Sequence, residues 1–206
     1  MDADEFLDTV RTDRQTELSR LGASKSLYAD TGGDMDENSV LAAVADSFHH
    51  AAETFETWAD EESDDASETF ADAADLAGEQ YGVLAGELGD HDPGEPPAIQ
   101  TYLRDLDTTV ERLAGYVGWA LVTEKKVGQA VGFFVGQASP QTASTLRDVR
   151  DTVEGTLDEG AAAVAAHADG ERSDLATDAG SGAVGAAYDE YFETLESLGV
   201  NPKPVC

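Results

Sequence analysis

The chain has 206 residues, with 12 Lys+Arg against 43 Asp+Glu, a formal net charge of −31 and a pI near 4.1. That length is enough to bury one ordinary core. The charge excludes general binding to a phosphate backbone, which needs clustered cations, and argues against docking on anionic membranes.

Leu, Ile, Val and Phe together make up just under a fifth of the residues, beside 32 Ala and one Ile. A disordered chain can have that composition, but the apolar residues here recur at helical spacing nearly throughout, which argues for a folded one. Acids cover the whole length, and there are 4 Lys against 8 Arg. These features point to a cytosolic protein of an extreme halophile, because at 1 M salt screening confines self-repulsion to about 3 Å. Such a protein is expected to loosen, and its melting temperature to fall, as KCl is removed. Cys206 is the single cysteine, so no intrachain disulfide or cysteine-based metal site is expected, and it does not stand in a prenylation box. The acidic start MDADEFLDTV has no signal-peptide pattern. The uncharged run from Val127 to Leu146 contains Gln129, Gln137, Pro140 and Gln141, too polar to span a bilayer as one helix. The expectation is a soluble, cytoplasmic protein with no membrane partner.

In chain order the pattern predicts seven helical segments and no strand. The first covers about Glu5–Ala29, with Phe6, Val10, Leu18, Leu21 and Tyr28 on one stripe, and ends at Thr31-Gly32-Gly33. The second covers about Ser39–Glu62, capped by Asn38, with Leu41, Val44, Phe48, Ala51, Phe55 and Trp58 inward. The third covers about Asp65–Leu88. The stretch Gly89–Pro97, rich in Pro and Gly, is the clearest break and the weak boundary if the chain were split. A fourth helix is predicted from about Pro97 to Thr123, with Leu113, Val117 and Leu121 inward, and a short fifth from Val127 to Gln137. Ser139-Pro140 opens the sixth, to about Ala168. The seventh runs from about Asp174 to Leu198, closed by Gly199 and Pro202. Long helices with short polar connections make one all-α antiparallel bundle over residues 1–206.

Few side chains suggest chemistry. Gly128, Gly132 and Gly136 recur at i, i+4, i+8 and leave one helix face bare, with Phe133 and Phe134 on the other side. Such a face serves tight internal packing, or it serves a dimer seam or a pocket floor. Lys125 and Lys126 follow Glu124 at a predicted helix end, where they complement the helix C-terminus or contact an anion or partner. His49 and His50 stand at i+4 and i+3 spacing to Glu53, which suits two ligands on one metal or a solvated polar face. The inward stripe beside them predicts that His50 and Glu53 point outward, with His49 at the flank. Glu124 continues an inward stripe, and an inward carboxylate must be paired or protonated. No GxGxxG, P-loop, HExxH or GxSxG occurs.

The segments Phe48–Ala59 (FHHAAETFETWA) and Ala77–Leu84 (AGEQYGVL) resemble the first two helices of the ferritin-like, rubrerythrin-type family. The resemblance implies a ferritin-like bundle and, in that family, a di-iron site of inward Glu and Glu-x-x-His residues. Here those positions fall on Phe48, Ala77 and Gln80, and the second half has no Glu-x-x-His. The expected function is therefore non-enzymatic, without cofactor. It would act through a protein partner or self-association at the face of Lys125, Lys126, Gly128, Gly132, Phe133, Phe134 and Gly136. One alternative is a metal-dependent oxidoreductase or metal carrier with iron or manganese at Glu17, His49, Glu53 and Glu124. Another is a helical antitermination-type regulator that acts through protein contacts rather than by direct nucleic-acid binding.

Overall fold

A computed structural model describes residues 1–89, 91–170 and 172–202. Cys206 and the residues just before it lie outside the described residues. The described chain is an all-helical bundle. Its helices are α1 (Ala3–Asp13), α2 (Gln15–Leu21), α3 (Ser24–Asp30), α4 (Glu37–Glu61), α5 (Asp64–Leu88), α6 (Ala98–Arg104), α7 (Thr109–Gly136), α8 (Pro140–Gly155), α9 (Leu157–His167) and α10 (Arg172–Ser197). No described helix is long and apolar enough to cross a membrane.

Helix α7 is the axis. From Leu113 to Thr123 every residue is buried, because this uncharged segment is surrounded by α10, α8, α9 and α4. A helix that is apolar all round belongs inside a protein. Trp119 meets Phe48 and Phe55 of α4 edge-on, at ring-centroid distances of 5.9 and 5.1 Å. Helices α4 and α5 form a hairpin along its side, joined by a tight turn at Glu62-Ser63. Arg112 ties α7 to the end of α4 through Glu61 (2.7 Å) and Glu62 (3.0 Å), with its guanidinium over the Trp58 ring. One continuous hydrophobic core takes residues from every helix.

Helices α7 and α10 meet at glycine. A Cβ on Gly118 of α7 would stand 2.5 Å from the Gly180 carbonyl oxygen of α10. A Cβ on Gly180 would stand 3.2 Å from the Ala114 carbonyl. Only bare backbone lets these two long helices touch there.

Several boundaries differ from the sequence expectation. The first segment is three helices, bent at Arg14 and at Gly22-Ala23. A straight helix of that length would run roughly 37 Å at 1.5 Å per residue, whereas the bends let the chain wrap α9, α10 and α7 in turn. The predicted fourth helix breaks at Asp105–Thr108, where Thr108 and Glu111 form a reciprocal capping box that starts α7. Helix α7 then continues through the predicted gap at Glu124-Lys125-Lys126. The sixth segment is divided at Thr156, whose hydroxyl donates to the Val153 carbonyl (2.8 Å). Asp36, not Asn38, caps α4, its carboxylate accepting from the Ser39 amide (2.9 Å). Ser139 and Pro140 do begin α8, and the Ser139 hydroxyl donates to Glu37 of α4 (2.6 Å). Gly199 closes α10 with a positive φ of 73°, and the amide of Val200 donates to the Leu195 carbonyl.

Candidate functional site

Among the described residues three features stand out: a cleft beside α4, a histidine cluster on α4, and the outer face at the C-terminal end of α7.

The cleft lies between α3, α4, α6, α7 and α10 and has a volume of about 200 Å³. Its apolar wall includes Leu27, Val44, Phe48 and Ile99. Lys126 projects into it from α7 and pairs with Asp30 at the end of α3 (2.6 Å). Burial pulls the Lys126 ammonium down, but the charge and hydrogen bond of Asp30, with the Glu190 charge, outweigh it, so its pKa is raised. Lys126 is therefore mid-helix and engaged across the fold, not complementing a helix end. Lys125 pairs with Glu124 beside it (2.7 Å). Glu124 is thus a partly exposed, paired carboxylate rather than an inward one, because its position turns from the core toward the flank of α7.

The connection 91–97 forms one side of this cleft and is strapped to α4. Asp46 accepts from the Gly94 amide (3.1 Å) and lies 2.6 Å from His91 Nε2. One turn on, His50 Nε2 is 2.9 Å from the Gly94 carbonyl oxygen. Thr54 stands 2.8 Å from the His50 carbonyl and 2.9 Å from Gln100 Oε1, and Arg104 of α6 donates to both Thr54 and Glu53. His50, expected to point outward, is consequently only 7% exposed. The outward expectation fails because the loop that covers His50 comes from 44 residues away. Asp46, His91 and Gly94 had no marker in the sequence beyond the Pro/Gly-rich stretch itself.

His49, His50 and Glu53 bring three ligand atoms within 4.8 Å of one another, the one such group among the described residues. Burial pushes the Glu53 carboxyl up, but the imidazoles of His50 and His49 beside it and the Arg104 guanidinium outweigh burial, so its pKa is lowered. The other two sequence candidates do not join them: Glu17 pairs with Arg14 on α2 (3.2 Å) and Glu124 with Lys125. The positions that the ferritin-like resemblance assigns to iron do not fit a di-metal centre. Phe48 and Ala77 are fully buried among apolar groups, and Gln80 is neutral.

On α7 the glycines diverge in role. Gly128 has only the Arg150 stem nearby (3.8 Å), and Gly132 and Gly136 have nothing within 4 Å of a Cβ. They do not pack internally. Phe134 is 2% exposed and belongs to the protein's own core, Phe133 is half-buried against it, and Val135 between the glycines is 54% exposed. Comparison with protein-family models, with curated proteins and with solved structures returns no match.

Proposed function

We propose that this is a non-enzymatic helical-bundle protein of ferritin-like ancestry, from the cytoplasm of an extreme halophile, that works by contact and takes a second copy of itself on the outer face of α7. The observation that carries this reading is the open glycine face. Gly128 and Gly132, inside the helix, cost about 2 kcal/mol relative to alanine, at roughly 1 each, and Gly132, like Gly136 at the last helical position, gains no internal contact in return. Charge supports the same face. In a chain of net charge −31, Val127 to Leu146 carries no charged residue, so two copies can meet there without opposing carboxylates. The exposed Val135 side chain supplies apolar area between the bare positions. The ferritin-like ancestry rests on the apolar pattern of the α4–α5 hairpin, and the non-enzymatic reading on the aromatic filling around Phe48. The halophile reading rests on the carboxylate-rich composition.

Light scattering on the full chain in molar KCl tests the proposal. The native protein is expected at twice the 21.7 kDa chain mass, and V135E and G132E at the chain mass with unchanged helicity. A native protein that stays at the single-chain mass at tens of micromolar overturns it, as does a dimer that both variants leave intact.

A further inference from the structure

The histidine cluster on α4 has the geometry of a metal site. His50 Nδ1 is 3.3 Å from Glu53 Oε2, and His49 Nε2 is 3.5 Å from Glu53 Oε1. Ligand atoms that share one tetrahedral ion at about 2.0–2.1 Å lie roughly 3.3 Å apart. Two of the three pairs are already at that spacing, and the three ligand atoms as a set lie within 4.8 Å of one another, so side-chain rotation is what would close them on one ion.

The hydrogen bonding around His50 points the same way. The Gly94 carbonyl can only accept, so His50 Nε2 carries the hydrogen in that 2.9 Å contact. That leaves Nδ1 as the ring atom available to an ion, and it faces a Glu53 carboxylate oxygen at 3.3 Å. A divalent ion serves His50, Glu53 and His49 together. A ligating histidine whose other nitrogen is fixed by a backbone carbonyl, and a ligating carboxylate held by a further donor, are the usual outer supports of such a site. Here Gly94 fills the first role, and Arg104, 3.1 Å from Glu53 Oε2, fills the second. The Tyr81 ring of α5, 5.0 Å from that of His49, backs the second imidazole.

We propose that His49, His50 and Glu53 bind one divalent transition-metal ion of the zinc class, and that the ion fastens the 91–97 connection to α4 through His50 and Gly94. Two imidazoles and one carboxylate suit Zn²⁺, Co²⁺, Ni²⁺ or Cu²⁺ rather than Mg²⁺ or Ca²⁺. Glu53 is about half exposed and His49 about a third, so the remaining coordination position faces water.

The test is a titration of chelator-stripped full chain with Co²⁺ in molar KCl, with excess Mg²⁺ present to occupy the acidic surface. One Co²⁺ per chain is expected, with visible absorption bands that Zn²⁺ abolishes. H49Q and H50A should each weaken binding at least tenfold, and H167A, on a distant helix, should leave it unchanged. H49Q alters a partly exposed ring, and a circular dichroism melt verifies its fold. Zn²⁺ should also raise the melting temperature of the native chain and not that of the H49Q/H50A pair. Binding that Mg²⁺ displaces, or that the double variant retains, overturns the proposal and leaves only surface carboxylates as the ligands.

Discussion

Alanine at Gly118 and alanine at Gly132 are the same change in the same helix and should have opposite effects. At Gly118 the new Cβ would lie 2.5 Å from the Gly180 carbonyl oxygen and 2.8 Å from Ala183 Cβ. Ordinary contact begins near 3.4 Å, so α10 must retreat by about 0.9 Å. The obstructing atoms belong to backbone and to an alanine, neither of which can swing aside. Overpacking of this kind costs about 3 kcal/mol, the upper end of the usual range, and the helix propensity of alanine returns about 1. The net loss of about 2 kcal/mol corresponds to a fall of about 4–8 °C in melting temperature for a chain of this size. At Gly132 the added methyl meets nothing, so only the propensity gain of about 1 kcal/mol remains, a rise of about 2–4 °C. Melts followed by circular dichroism in molar KCl measure both, at protein concentrations low enough to keep association out of the melting temperature. A G118A protein as stable as the native one would mean that α7 and α10 are not in backbone contact, and the packing argument would fail.

The Lys126–Asp30 pair should matter more than a surface ion pair. Removing one partner of a fully buried pair costs about 3–5 kcal/mol; here both side chains keep about a fifth of their exposure, so K126A should cost about 2–3 kcal/mol. Because the Lys126 pKa is raised by folding, the contribution of the pair is complete below the unfolded lysine value of about 10.4 and is lost as pH rises through the higher folded value. Urea unfolding of native and K126M chains should therefore converge in the alkaline range, and a stability gap that persists unchanged to about pH 12 would contradict the assignment. Ala138 ends α7 with φ of 59°, in a turn where the amides of Ala138 and Ser139 donate to Val135 and Phe134. Alanine there costs about 1–2 kcal/mol of left-handed strain, which glycine avoids at some cost in unfolded-chain entropy. A138G should therefore raise the melting temperature by about 1–4 °C, and a decrease would exclude strain at this turn.

The parts of the fold that could be read from sequence are those where local pattern and local boundary agree. Helices α4 and α5 have a clear apolar stripe and turn signals at both ends, and their limits fall within two residues of the expected ones. The α1–α3 region lacks that agreement: Phe6, Val10, Leu18 and Leu21 keep helical phase across the bend at Arg14, so periodicity carries no mark of it. The start of α7 was marked, by Thr108 three residues before Glu111 and an apolar run behind it, a capping-box pattern that outweighs the continuous stripe. The charged trio Glu124-Lys125-Lys126 gave the opposite error, because charges in mid-helix look like a helix end until their partners are known. The partner of Lys126 is Asp30, 96 residues away.

The same distinction runs through the candidate sites. Spacing alone placed His49 and His50 within reach of Glu53, but His50 is buried only because the 91–97 connection crosses α4 and offers the Gly94 carbonyl. Likewise, the stripe of Gly128, Gly132 and Gly136 is obvious in the sequence, whereas the glycines that carry the packing, Gly118 and Gly180, are on different helices and share no pattern. A regular spacing marks what one helix can present. Whether that face is filled depends on what another segment brings to it: Gly118 is closed by the backbone of α10, and Gly132 meets no part of its own described chain. Gly78, Gly82 and Gly86 of α5 form a second open stripe, but Glu79 and Glu87 flank it, so the uncharged stripe of α7 is the one to test for a partner and the Gly118–Gly180 pair the one to test for stability.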